Sequence, residues 1–160
     1  MSRDYILIVI EWIAMLCLLV KFIPKNKIRE ALVSISFNHF ITWPMGLIVV
    51  ALGLIEYPVR LFSPTSKTCF SFEYFSLPSI CAIFNVNYPQ KKGPFGQFMY
   101  YFYYCTAITI FEVFTEKYTS RLKYIHWTWY ITWITIFISL YITRKLYTWF
   151  FKLKQNKKDL

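Results

Sequence analysis

The feature that most limits what this chain can fold into is its first apolar run, YILIVIEWIAMLCLLVKFI over residues 5–23, which carries charge only at Glu11 and Lys21. A helix built from it is apolar on every side and matches the roughly 20 residues that cross a hydrocarbon core. Lys21 stands near the end, where its long stem reaches the interface, and Pro24 closes the run. A secretory leader would show a small-residue cleavage pattern after the apolar run, whereas VKFIPKNK follows here, so the segment is expected to stay as a first span.

Further runs of similar length cover residues 31–55, 70–88, 95–115 and 125–147. The chain is 57% hydrophobic, 22% aromatic and only 16% charged, with a mean hydropathy of +0.41. These values lie outside the range of soluble domains. The expected fold is therefore all-α, an integral membrane helical bundle of five transmembrane helices in one domain over residues 1–150. A basic cytoplasmic tail follows over 151–160.

Within this frame, Pro44 removes a backbone donor from the second segment and predicts a kink near Phe40. His39, Gly46 and Gly53 share a face of that helix at seven-residue spacing, so this helix-packing face is expected to turn inward, with the glycines admitting a close neighbour. The third segment holds Glu73, Pro78 and Asn85 and is the candidate for a broken or re-entrant element in protein-lined space. NYPQKKGPFG marks the clearest turn. The tyrosines of FMYYFYY are expected to form an aromatic belt at the inner interface.

Net charge is +10, but the basic residues lie in short loops and in the tail beside apolar runs, a distribution for the bilayer and its anionic lipid headgroups rather than for nucleic acid. Of the eighteen Lys and Arg, twelve fall on one side of a five-span topology and six on the other. The positive-inside rule then places the amino terminus outside and the carboxyl terminus inside.

That topology brings the acids together. Glu56 ends the second segment on the outer side, Glu73 opens the third there, and Glu112 and Glu116 close the fourth. Glu11 lies about 9 Å below Tyr5, still in the outer half. His126 opens the fifth segment on the same side, amid Trp127, Trp129, Tyr130 and Trp133. A carboxylate in mid-membrane costs roughly 2.5–3.5 kcal/mol on insertion scales, so Glu11 and Glu112 should face partners or water. Glu11, Glu56, Glu73, Glu112, Glu116 and His126 are the candidates for a proton or cation site. Glu112 and Glu116, four residues apart, share a helix face from which to grip one cation with His126.

Plainer roles stand beside these. Glu116 is expected to pair with Lys117, Arg121 or Lys123, Glu56 with Arg60, and His126 to belong to the interfacial belt. His39, near Asn38 and Thr42, suits an interhelical hydrogen bond. The four cysteines form no CxxC pair and suggest neither a disulfide framework nor zinc. No metal site is assigned, no cofactor motif appears, and HExxH, GxSxG, P-loop and dinucleotide signatures are absent.

The stretches KFIPKNKIREA, GLIVVALGLIEYPVR, FEYFSLPSICAIFN, GQFMYYFYYCTAITIFEVFTEKYT and YIHWTWYITW together resemble a family of small five-span membrane proteins of spore-forming Firmicutes with no assigned activity. The resemblance implies a bacterial cell membrane or spore membrane and carries over no catalytic residue. Three functions remain open from the residues: a proton- or cation-binding protein, transport-related within a homo-oligomer; a membrane-embedded enzyme acting on a lipid or isoprenoid; and a structural or assembly subunit of a membrane complex.

Overall fold

A computed structural model of the chain describes residues 2–61 and 67–151. The basic tail from residue 152 onward and the loop at 62–66 lie outside the described residues. The described chain is mostly helical. Helix α1 spans Ser2–Phe22 and ends where Pro24 takes an extended conformation (φ −67°, ψ 149°). A short 3₁₀ turn at Lys25–Lys27 leads into α2, Ile28–Ala51, which runs on through Pro44. A π-helical turn, Phe70–Ser76, passes directly into α3, Leu77–Val86. Helix α4 is Pro94–Tyr118 and α5 is Trp129–Phe150.

Local chemistry sets the boundaries. Pro94 occupies the start of α4, where a missing N–H costs nothing because no intrahelical partner awaits it. Helix α2 stops at a C-terminal motif in which the Gly53 N–H donates to the Val50 carbonyl (3.0 Å) and the Leu54 N–H to the Val49 carbonyl (3.1 Å). Gly53 makes this possible at φ +67°. No atom of the described residues lies within 4 Å of where its Cβ would be, so Gly53 is a helix terminator and not part of the expected packing face.

The chain leaving α2 forms β1 at Ile55–Glu56, antiparallel to β2 at Lys123–Tyr124, with Ile55 opposite Tyr124 and Glu56 opposite Lys123. This ladder delays the last helix. Residues 125–128, expected to open it, are held in loop conformation as the Ile125 and His126 N–H groups both donate to the Leu54 carbonyl at 3.1 Å.

Helix α3, the segment least like a span in sequence, is the centre of the bundle. All of its residues but Ile80 are buried. At 10 residues it is about 15 Å long, half of a hydrocarbon core of about 30 Å. Around the fully buried Phe84 stand Tyr88, Tyr100, Tyr101 and Tyr104, with ring centroids 4.8–5.5 Å away, and the Tyr100 hydroxyl donates to the Phe84 carbonyl at 3.3 Å. Most of the tyrosine run therefore packs on α3 instead of forming the expected belt. Tyr103 is the member left exposed. The physical reason is helix periodicity: residues 100, 101 and 104 share the face that meets Phe84.

A polar seam joins α2, α3 and α5. Asn38 Nδ2 donates to Ser139 Oγ (3.0 Å) and Thr143 Oγ1 (3.2 Å), and Asn85 Nδ2 donates to Ser34 Oγ (2.9 Å), all buried. Small hydroxyl and amide residues of this kind hold helices together where apolar surroundings supply no competing partners.

Much of the described surface is apolar. Along α1, Ile6, Val9, Ile10, Ile13, Leu16 and Val20 are exposed, Val20 by 84%. A helix packed in water turns that stripe inward. Helices α1 and α2 are each long and apolar enough to cross a membrane.

Candidate functional site

One wall of α1 faces inward, and it carries Ile8 and Glu11, which is only 8% exposed. The Glu11 carboxylate is answered from two sides. Arg121 Nη2, from the loop after α4, donates to Oε2 at 2.5 Å, and Ser76 Oγ, at the end of the π-helical turn, donates to Oε1 at 2.5 Å. Arg121 is itself 5% exposed, so this is a buried ion pair with a supporting hydroxyl.

Glu112 and Glu73 are buried differently. Glu112 Oε1 accepts from the Tyr124 hydroxyl at 2.7 Å and from Thr132 Oγ1 at 2.8 Å, while the Trp127 indole N–H donates to Thr132 Oγ1 at 2.7 Å and so orients that hydroxyl. Glu73 Oε1 accepts from the Tyr57 hydroxyl at 3.3 Å, and its Oε2 is buried with no hydrogen-bond partner among the described residues. Gly46 of α2 lies against this carboxylate. A Cβ at position 46 would stand 2.3–2.5 Å from the Glu73 carboxyl atoms, so any side chain there displaces it. The close neighbour admitted by this glycine is a carboxylate, not a helix backbone.

Between Glu11, Glu112, Arg121, Tyr57 and Cys69 lies a cavity of about 20 Å³, large enough for one water-sized occupant. Burial, and after it the negative charge of Glu73, holds the Tyr57 phenol well above its ordinary pKa, so it serves as a protonated donor. Burial likewise pushes the Cys69 thiol up to about 11, which removes it as a neutral-pH nucleophile.

The structure thus brings Glu11, Glu73 and Glu112 into the interior and leaves the other candidates outside. Glu56 is exposed on β1 opposite Lys123. Arg60, its expected partner, donates to the Tyr57 carbonyl at 2.5 Å. Glu116 is half-buried, one turn beyond Glu112, and among the described residues pairs with none of Lys117, Arg121 or Lys123, because Arg121 is committed to the more deeply buried Glu11. His126 is exposed, and its backbone is what the fold uses. The expected grip of Glu112, Glu116 and His126 on one cation does not form. Among the described residues no group of three or more His, Cys, Asp or Glu could hold a metal ion. His39 bonds through Nε2 to the Tyr74 carbonyl and stacks on the Tyr74 ring at 4.1 Å, joining α2 to the π-helical turn.

Sequence reasoning missed the partners: Ser76, Tyr57, Arg121, Tyr124 and Thr132. A usable signal existed for Arg121. An acid inside an apolar span needs a cation, and the loop after the fourth segment supplied one on the same side. Comparison with protein-family models, characterised proteins and solved structures finds no match to this chain.

Proposed function

We propose that this chain is a multi-pass protein of a bacterial cell or spore membrane, amino terminus out and carboxyl terminus in, whose outer-face carboxylates Glu73 and Glu112 exchange a proton. What supports the reading most is the type of donor around them: hydroxyls of Tyr57, Tyr124 and Thr132, and no cation paired to either acid among the described residues. A hydroxyl donates to a carboxylate and accepts from a carboxylic acid equally well. The same hydrogen-bond set therefore serves both protonation states without repacking. Glu11, held by Arg121, is the fixed charge beside them, and the water-sized cavity, lined by Glu112 and by Tyr57, the donor to Glu73, gives the proton a path.

A divalent metal suits the site less, since Ca²⁺ wants about six to eight oxygen ligands and Mg²⁺ near-octahedral geometry. The lipid-enzyme reading draws no support from this cavity, because ligand pockets run to about 300–1,000 Å³. Five helices, one of them only 10 residues long, give little wall for a private channel, so net transport would call for a homo-oligomer.

The test is thermal stability in detergent across pH and divalent-cation concentration. Wild type should respond to pH and not to the cation. Glu112→Gln should fold yet lose the Glu112 part of that pH response, whereas Glu116→Gln should keep all of it. If wild type shows no response, or both variants retain it, the acids only pin helices and the protein is a structural subunit.

A further inference from the structure

At the opposite end of the bundle from the carboxylates, a second cavity of about 650 Å³ opens where α2 begins and where α3 and α5 end. Lys27, Lys91 and Lys92 line it, with Glu30 as the acid on its wall. Glu30 is engaged, since the Tyr147 hydroxyl donates to its Oε2 at 2.6 Å.

Behind the wall stands a further cation. Arg144 is 7% exposed, and its guanidinium lies 4.0 Å from the Tyr88 ring centroid and 5.2 Å from that of Tyr147. Its Nη1 donates to the Asn85 carbonyl at 3.2 Å. Asn85, Tyr88 and Tyr147 all line the cavity. Among the described residues no carboxylate pairs with Arg144. A guanidinium carries five N–H donors, and an unpaired buried charge is costly, so this wall holds unspent donors and uncompensated positive charge.

We propose that this cavity binds a phosphate ester, with Lys27, Lys91 and Lys92 meeting the phosphate oxygens and Arg144 supplying the buried counter-charge through the aromatic wall. The volume falls in the range of small-ligand sites and exceeds what a bare phosphate fills. The organic part of the ester therefore lies against Tyr88, Pro89 and Phe151. Both a phospholipid headgroup and a soluble phosphate ester carry this chemistry. The inference is independent of proton exchange at the other end.

The experiment uses the full chain in detergent and reads thermal stability against added phosphatidylglycerol, phosphatidylcholine and glycerol 3-phosphate. Phosphatidylglycerol should raise the melting temperature in a saturable way. If glycerol 3-phosphate does so too, the ligand is a soluble ester; if it does not, the ligand is the lipid headgroup. Lys91→Gln/Lys92→Gln, two exposed turn residues, should weaken the half-saturating concentration by about 30-fold. The charge-matched control Lys67→Gln/Lys117→Gln, on exposed positions elsewhere, should leave it unchanged. No shift with phosphatidylglycerol or glycerol 3-phosphate, an equal shift with the zwitterionic phosphatidylcholine, or equal weakening by both double variants would overturn the site.

Discussion

Replacing Arg121 with alanine should destabilise the protein by about 3–5 kcal/mol, the penalty for leaving one member of a buried ion pair without its partner. The stranded group is Glu11, whose Oε2 accepts from Arg121 at 2.5 Å and whose remaining partner is the Ser76 hydroxyl. A single hydroxyl cannot offset the desolvation of a carboxylate in apolar surroundings. The loss should be largely recovered in Glu11→Gln/Arg121→Ala, because the neutral amide leaves no charge to stabilise. Unfolding of wild type, both single variants and the double variant in detergent gives the coupling energy directly. A penalty below about 1 kcal/mol for Arg121→Ala would mean that the pair is solvated and behaves as a surface ion pair.

The second large effect is expected at Phe84. It is fully buried in α3, packs against four tyrosine rings and belongs to the buried cluster that includes Cys105 and Leu140. Phe84→Ala should cost about 3–5 kcal/mol, as large-to-small core changes do. In lipid the transfer part of that loss shrinks, so the lower end is the better expectation and most of it is lost packing. Phe84→Leu, which keeps more of the volume, should cost about half as much. The same detergent unfolding assay reads both. Equal, small losses at this position would remove α3 from the centre of the bundle.

Much of the helical layout is legible in the sequence, and the reasons are local. Pro24 and the Gly93–Pro94 step punctuate the chain through backbone chemistry that acts without tertiary help, whereas Gly53, expected on a packing face, ends α2 instead. Apolar length alone marks α1 and α2. The start of α5 is not legible, because it depends on residues 123–124 pairing with residues 55–56 far away in the chain. The standing of α3 is hidden for a similar reason. Pro78 and Asn85 weaken it as a span, yet they suit a helix enclosed by protein, where Asn85 bonds Ser34 on α2 and Arg144 on α5 bonds the Asn85 carbonyl.

The candidate site divides in the same way. Glu11 and Glu112 could be singled out because burying an acid in an apolar run demands an explanation. Their partners could not be assigned, since Ser76 comes from the π-helical turn, Arg121 and Tyr124 from the loop and short strand after α4, and Thr132 from an α5 whose start depends on that strand, none of which the periodicity fixes. Level alone points to Glu56 and His126. Both stand near the correct end of the bundle, but level says nothing about which way a side chain is turned, and both are exposed.

The central claim is a membrane-embedded bundle with its carboxylates near the outer face, and impermeant thiol labelling in intact cells tests it most directly. Single cysteines at Ser120, in the loop beside the Glu11–Arg121 pair, and at Lys91, in the turn before α4, report the two ends of the bundle, both positions being exposed. Cys17, the exposed native thiol, is replaced by serine in the background. Ser120→Cys should react in intact cells and Lys91→Cys only after permeabilisation. The reverse pattern would move the carboxylates to the cytoplasmic face, and labelling of neither position until the cells are opened would contradict a bundle that spans the membrane with these two ends on opposite sides.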